Sequence, residues 1–295
     1  MQLESSNALL YNFYLLVAAI LWGMNFHFAK FMMQESQFVE SATWRYIFGV
    51  VPLIIISYKS LISIRLNSLP IKGIVVVGFV GLFGFNFFFF WGLMYTSAIN
   101  AALIMGLNPI TTLGLSSLLL KTKLTKYHLL GALISLLGVL YLLGGGSFKS
   151  LSVSSLNIGD LLILIANLLF GLHHIWVKQY RGDSPNRYFT AVTNIICLLG
   201  FLCLLFFHQS ELTVDHSSRF WISALGIGSF GTALAYILWN EGVYRLGPDS
   251  AGTFLNLVPL STAIFALLLG EKLFSYHLIS GILIIVGIII TKRSA

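Results

Sequence analysis

The chain is short of charge. Only 9% of its 295 residues are Asp, Glu, Lys or Arg, against 57% hydrophobic residues and a mean hydropathy of +0.89. Water-soluble domains carry about 25% charged residues, so this chain lacks the polar surface needed to face water. Acids are scarcest: ten Asp and Glu stand against 17 Lys and Arg. None sits midway along an apolar run, since Asp160, Glu241, Asp249 and Glu271 all fall near run ends. Cysteine is nearly absent. Cys197 and Cys203, six residues apart on one run, project in different directions from a helix, so they read as free apolar thiols that cannot bridge each other. No metal-ligand spacing occurs: His173 and His174 are adjacent, and neither has a Cys or acid at i±3 or i±4. No cofactor is expected. A membrane-embedded enzyme would need paired acids or a Ser/His pair at headgroup depth, and no such cluster is present.

What the chain has instead is length of apolar sequence. About 20 apolar residues cross a bilayer, and ten runs satisfy this, roughly at 10–32, 39–58, 71–95, 98–120, 126–144, 158–180, 188–208, 219–243, 249–269 and 275–292. One strong segment per crossing predicts helices rather than barrel strands. Glu4 and the absence of basic residues before the long first run argue against a cleaved signal peptide.

Basic residues resist translocation, so their placement predicts orientation. With a cytoplasmic N-terminus, twelve fall inside: Lys59, Arg65, Lys72, Lys121, Lys123, Lys126, Lys178, Arg181, Arg187, Arg245, Lys292 and Arg293. Lys149, Arg219 and Lys272 fall outside; Lys30 sits at an outer helix end and Arg45 within a span. Both termini are therefore expected in the cytoplasm. The net charge of +7 reports this topology and contact with anionic lipid, and implies no nucleic-acid partner.

The sequence repeats itself. Gly92, Ala101, Leu107, Pro109 and Thr112 recur 150 residues later as Gly242, Ala251, Leu257, Pro259 and Thr262. Leu16, Ala18, Leu21, Gly23 and Lys30 recur at an offset of 148 as Leu164, Ala166, Leu169, Gly171 and Lys178. At 149, Lys123, Leu124, Tyr127, His128, Leu129 and Gly138 recur as Lys272, Leu273, Tyr276, His277, Leu278 and Gly287. A five-helix unit has been duplicated, and because five is odd the second copy must cross in the opposite sense. The expected fold is an all-α integral membrane protein of ten transmembrane helices in two inverted repeats, 1–147 and 148–295, joined by the segment Gly144 to Ser155.

Several segments carry a family likeness: AAILWGMNFHFAK (Ala18 to Lys30), TWRYIFG (Thr43 to Gly49), the Asn108-Pro109 step, and LLLGEKLFSYHLISGILIIVGIII (Leu267 to Ile290). Together they resemble the drug/metabolite transporter superfamily, nearest its ten-helix EamA-type carriers. The resemblance implies movement of small organic metabolites, amino acids included, across a bacterial inner membrane. One departure is KTKL at Lys121 to Leu124 where the second half reads GEKL at Gly270 to Leu273, so Thr122 lacks the acid of Glu271. The superfamily's four-helix drug exporters carry a membrane-embedded glutamate in helix 1. Trp22 and Asn25 stand there instead, so cationic-drug/proton antiport fits less well.

Inverted-repeat carriers hold solute near the midplane, where Gly or Pro interrupts helices. Pro109 and Pro259 lie mid-span in equivalent positions and should kink their helices as hinges or cavity walls. Asn108 and Asn256 should face the interior, since amides are costly in lipid. Trp22, Asn25 and Ala29 form one stripe, and Phe170, His173 and Val177 form its counterpart; the two are expected to face one another. His27, near a span end, is expected at the interface. Phe79, Phe83, Asn86, Phe87, Phe90 and Trp91 make an aromatic third span, answered in the eighth by Tyr236, Trp239, Asn240 and Glu241. Plain packing accounts for many such rings, but with Asn86 and Tyr236 they outline an aromatic pocket with a few orienting polar groups. Arg45 either snorkels or serves as counter-charge for a substrate carboxylate; its counterpart Thr193 is neutral. Proton coupling, if present, would fall to His173, His174 or Glu241.

The expected function is an inner-membrane secondary transporter exporting small organic metabolites such as amino acids by alternating access. The alternative is an uptake carrier or exchanger for a nucleotide- or cofactor-like solute. Expected partners are a small-molecule substrate and the lipid bilayer. The sequence fixes no oligomeric state and is compatible with a monomer.

Overall fold

Each apolar run is helical in the computed structural model, which describes residues 2–63, 70–121, 123, 125–143, 145–148, 157–207 and 212–292. Hydrocarbon offers no partner to backbone N–H and C=O groups, so each run closes its own hydrogen bonds. The helices are α1 (Gln2–Met32), α2 (Phe38–Ser63), α3 (Ile71–Leu93), α4 (Ala98–Met105), α5 (Asn108–Leu120), α6 (Lys126–Leu143), α7 (Ile158–Tyr180), α8 (Asn186–Phe207), α9 (Ser218–Leu246), α10 (Pro248–Gly252), α11 (Leu257–Leu268) and α12 (Ser275–Lys292). Among the described residues, seven helical segments are long and apolar enough to cross a membrane, and three shorter apolar ones occupy the fifth, ninth and tenth predicted spans. Arg65, Lys149 and Arg293 of the charge pattern, Thr122 and Leu124 of the repeat comparison, and most of the joining segment lie outside the described residues.

Burial is inverted relative to a soluble protein. Ile55, Leu118, Phe206 and Leu268 are over 70% exposed on the outer faces, whereas Asn86, Asn108, Asn194 and Asn240 are fully buried. An apolar outside and a polar inside suit a lipid solvent, which tolerates bare Leu but not a bare amide.

The two halves share structural irregularities. A nine-residue π-helical stretch at Val76–Gly84 recurs 150 residues on at Gly226–Leu234. Its glycines allow close approach, and the approaches are reciprocal. Gly78 meets Thr193 and Ile196 of α8, while Gly228 meets Arg45 and Phe48 of α2; Gly81 meets His173, while Gly231 meets Asn25. In each case the partners differ by the same 148 residues as the repeat, so equivalent positions make equivalent contacts.

Equivalent helices also run antiparallel. In α6 and α12, Ser135 Oγ donates to Ile284 O at 3.1 Å, Gly131 lies against Gly287, and Gly138 lies against Ser280 and Leu283. Numbers rise along one helix as they fall along the other. In α2 and α8, Tyr46 stacks on Phe201 at 5.7 Å and Ser57 Oγ donates to Arg187 O at 3.0 Å.

Two expectations are corrected by local geometry. Pro109 does not kink a continuous helix: α4 ends at Met105 and Pro109 enters the first turn of α5, where a missing N–H costs nothing. Pro259 likewise lies in the first turn of α11, after a 3₁₀ turn at Thr253–Asn256. The KTKL departure has a backbone consequence. Lys121 closes α5 at φ 57°, the left-handed region its counterpart Gly270 enters at φ 78°, where glycine has no side chain to strain.

Candidate functional site

A buried cavity of about 40 Å³ lies where the halves meet. From the first half come Trp22, Asn25 and Phe26 of α1, Arg45 of α2, Phe85 and Phe89 of α3, and Met105 at the end of α4. Phe170 of α7, Tyr236 of α9, Leu255 of the 3₁₀ turn and Val258 of α11 complete it. Trp22 anchors the wall: its Nε1 donates to Gly231 O at 2.9 Å, and its ring meets Phe170, Tyr236 and Trp239 at 5.3, 5.4 and 4.8 Å. That carbonyl is within reach because Gly231 brings the π-helical stretch of α9 against Asn25. Trp22 and Phe170 meet, so the two predicted stripes do face one another.

Arg45 does not snorkel. It is 2% exposed, its Nε donates to Thr232 Oγ1 at 3.0 Å, and its guanidinium lies 5.5 and 5.7 Å from the Tyr46 and Phe90 rings.

Other expected site residues serve the walls behind. Trp239 backs Trp22, and Phe90 sits behind Arg45. His173 and His174 are fully buried with both ring nitrogens of each unpartnered, packed on Phe170 at 5.8 and 4.3 Å. Asn86 Nδ2 returns to Leu82 O at 2.9 Å. Phe83 packs outward, on Phe201 at 5.0 Å.

Asn108 and Asn256 do not reach the cavity. Asn108 Nδ2 donates to Asn167 O at 2.9 Å, and its Oδ1 accepts from Thr112 Oγ1 at 3.0 Å. Asn167 in turn donates to the carbonyls of Ile104 and Met105; Pro109 has no N–H to offer Met105 O, while Ile104 O also accepts from Leu107 N at 3.0 Å. Asn256 lines a separate peripheral pocket with Pro259 and His277.

Along α1, three features follow in order. Near Tyr11, Glu241 pairs with Arg181 and Arg245, each at 2.8 Å, and Arg245 lies 5.7 Å from the Tyr11 ring. Glu241 is thus an ion-pair partner at one end of the bundle. Next comes the cavity at residues 22 to 26. Beyond it, Lys30, Phe31, Met33 and Gln34 border a vestibule of about 530 Å³ at the opposite end.

Between cavity and vestibule sits His27, and here the sequence expectation fails. His27 is 2% exposed rather than interfacial: Nδ1 lies 3.0 Å from Glu271 and Nε2 lies 2.9 Å from Thr262 O. Both partners are acceptors when Glu271 is ionised, so the clasp is complete only with a proton shared by the pair. Sequence alone gave no sign of it, because the partners are 244 residues apart. Phe26, Phe85, Phe89, Met105, Leu255 and Val258 were also unmarked. Only Phe85 and Phe89 carried a signal, as members of the aromatic third span.

With the duplication and shared cavity established, comparison with known proteins identifies the lineage. Residues 9–144 and 157–293 each match the EamA-like transporter family. The chain belongs to that family. The uncharacterized transporter YyaM of Bacillus subtilis (strain 168) is 31% identical over 280 residues, 93% of this chain and 91% of that one. The uncharacterized inner membrane transporter YicL of Salmonella typhimurium is 25% identical over 270 residues, covering 86% and 85%. A crystal structure at 20% identity superposes with a TM-score of 0.71 over 97% of this chain and 96% of its own, which shows the same fold. The protein is an integral membrane transporter of the EamA type.

Proposed function

We propose that this transporter is a secondary carrier of the bacterial inner membrane, with both termini cytoplasmic, that exports small organic acids, the class that includes amino acids. Two inverted five-helix halves, 1–147 and 148–295, would alternate access to the cavity around Trp22, Asn25 and Arg45. The observation that carries this reading is the position of the cavity, bounded by both halves and flanked by a charge network at one end and a vestibule at the other. Antiparallel packing of α6 against α12 and of α2 against α8 supports the inverted arrangement. The buried cation in the cavity disfavours a cationic-drug antiporter.

Cells expressing the protein and loaded with peptides are expected to enrich at least one organic acid in the medium over a Trp22→Ala control. Purified protein in proteoliposomes should show saturable counterflow of the same solute. Flux that neither saturates nor exchanges would point to a channel, and no enriched solute would overturn the reading.

A further inference from the structure

The solute class can be narrowed by the charge the cavity leaves unbalanced. Arg45 is buried, and beyond the Nε bond to Thr232 its two terminal nitrogens find no acceptor among the described residues. The acids whose side chains the structure describes are engaged elsewhere or exposed. Glu35 holds Ser217, Glu40 holds Thr213 and His216, Asp160 holds Thr96, Glu241 holds Arg181 and Arg245, and Glu271 holds His27. Asp183 and Asp215 are exposed in loops. Asn25 borders the same cavity, and so does the Tyr236 phenol, which is set against Asn86 and Tyr46. A guanidinium, an amide and a phenol thus converge on a void otherwise walled by Trp22, Phe85, Phe89 and Phe170.

Burying a charge without a partner is costly, and removing one member of a buried pair is costlier than never building it. This resting site is therefore a half-built ion pair awaiting its anion. From this geometry we infer that the preferred solute is a monoanion: one carboxylate on a compact aromatic or branched apolar body, with no ammonium group. The planar guanidinium matches a carboxylate in two parallel hydrogen bonds; the void as it stands admits the carboxylate, and the rings line the space the apolar body takes when the walls part to admit it. A bound monoanion leaves the cavity neutral. A zwitterion brings an ammonium for which no carboxylate is provided, leaving the occupied cavity with net positive charge; the ring faces compensate an ammonium only partly. This inference rests on the carrier reading and on the cavity being its solute site.

The test uses purified full-length protein in nanodiscs, with Trp22 and Trp239 as intrinsic fluorescent reporters, titrated with three molecules of one skeleton: 3-phenylpropionate, phenylalanine and 3-phenylpropylamine. The anion is expected to bind at least about tenfold more tightly than the zwitterion, and the amine not to bind. Arg45→Gln should weaken the anion at least about thirtyfold, with Arg45→Lys recovering part of it. Phenylalanine binding as tightly as 3-phenylpropionate, or no binding by any of the three, overturns the inference. The unmutated protein alone decides this, so a misfolded Arg45 variant does not obscure it. Saturable counterflow of some other solute in proteoliposomes would leave the carrier reading standing while this assignment fails.

Discussion

At the scale of single residues, the cavity depends on what is missing as much as on what is present. Gly231 has no side chain, and that lets the Asn25 amide and the Trp22 indole reach the backbone of α9. A methyl group there would run into Asn25 itself. Its repeat counterpart Gly81 is less constrained, with the nearest His173 atoms 3.2 Å from an added Cβ. Gly231→Ala should therefore destabilise the protein by about 1–3 kcal/mol, the usual cost of overpacking, and reduce counterflow by at least about tenfold. Gly81→Ala should do markedly less in both assays, and the reverse ranking would show that Asn25 is not positioned by this contact. The equivalence of Asn25 and His173 was legible from the 148-residue offset. That each rests on the other half's glycine was not, because nothing in a repeat says which faces of its copies will meet.

At the scale of elements, the interruptions are where the helices need help. The break between α4 and α5 is legible as an Asn-Pro step, but Asn167, which donates to the carbonyls before it, lies on α7 and has Ala19 at the matching place in α1. Asn167→Leu leaves the Met105 carbonyl without a donor, since the residue four further on is Pro109, and takes one of two donors from Ile104 O. The expected loss is about 1–3 kcal/mol for the orphaned group, read as a lowered thermal unfolding temperature in detergent.

A second contact holds the start of α9. Glu35 accepts from Ser217 N at 2.8 Å and from Ser217 Oγ at 2.5 Å, beside the helix N-terminus where an anion is favoured. The Ser217 hydroxyl and amide hold the Glu35 carboxyl below its ordinary 4.5, outweighing burial. A depressed carboxyl contributes stability that is fully present above the unfolded pKa and lost as pH falls through the folded one. Hydrogen exchange at residues 217 to 220 should thus stay slow down to about pH 4.5 and quicken below it. In Glu35→Gln that acid limb should vanish, and exchange unchanged by the substitution would rule the contact out as the cause.

For the whole molecule, the proposal to test is the opposed direction of the halves. Lys126 and Ser275 open α6 and α12 and correspond at the 149-residue offset. In a background with Cys197 and Cys203 replaced by Ala, Lys126→Cys should react with an impermeant thiol reagent only from the cytoplasmic side and Ser275→Cys only from the other. Labelling from one common side would overturn the inverted plan. The boundaries of the spans and the duplication were legible in advance: α7 begins and ends where its apolar run does, at 158 and 180. Membrane insertion sums transfer free energies residue by residue along a segment, so composition suffices to find it.

Sequence by itself therefore determined the solvent, the positions of the helices, the twofold repetition and the aromatic character of the third and eighth spans, since each is a local sum or a local comparison. Tertiary structure alone decided that Arg45 faces a void without an acid, that Asn108 turns to Asn167 instead, and that His27 meets Glu271 across the bundle. Those outcomes depend on which side chains the packed helices bring within about 3 Å of one another, the range in which hydrogen bonds form, and no count made along the chain contains that distance.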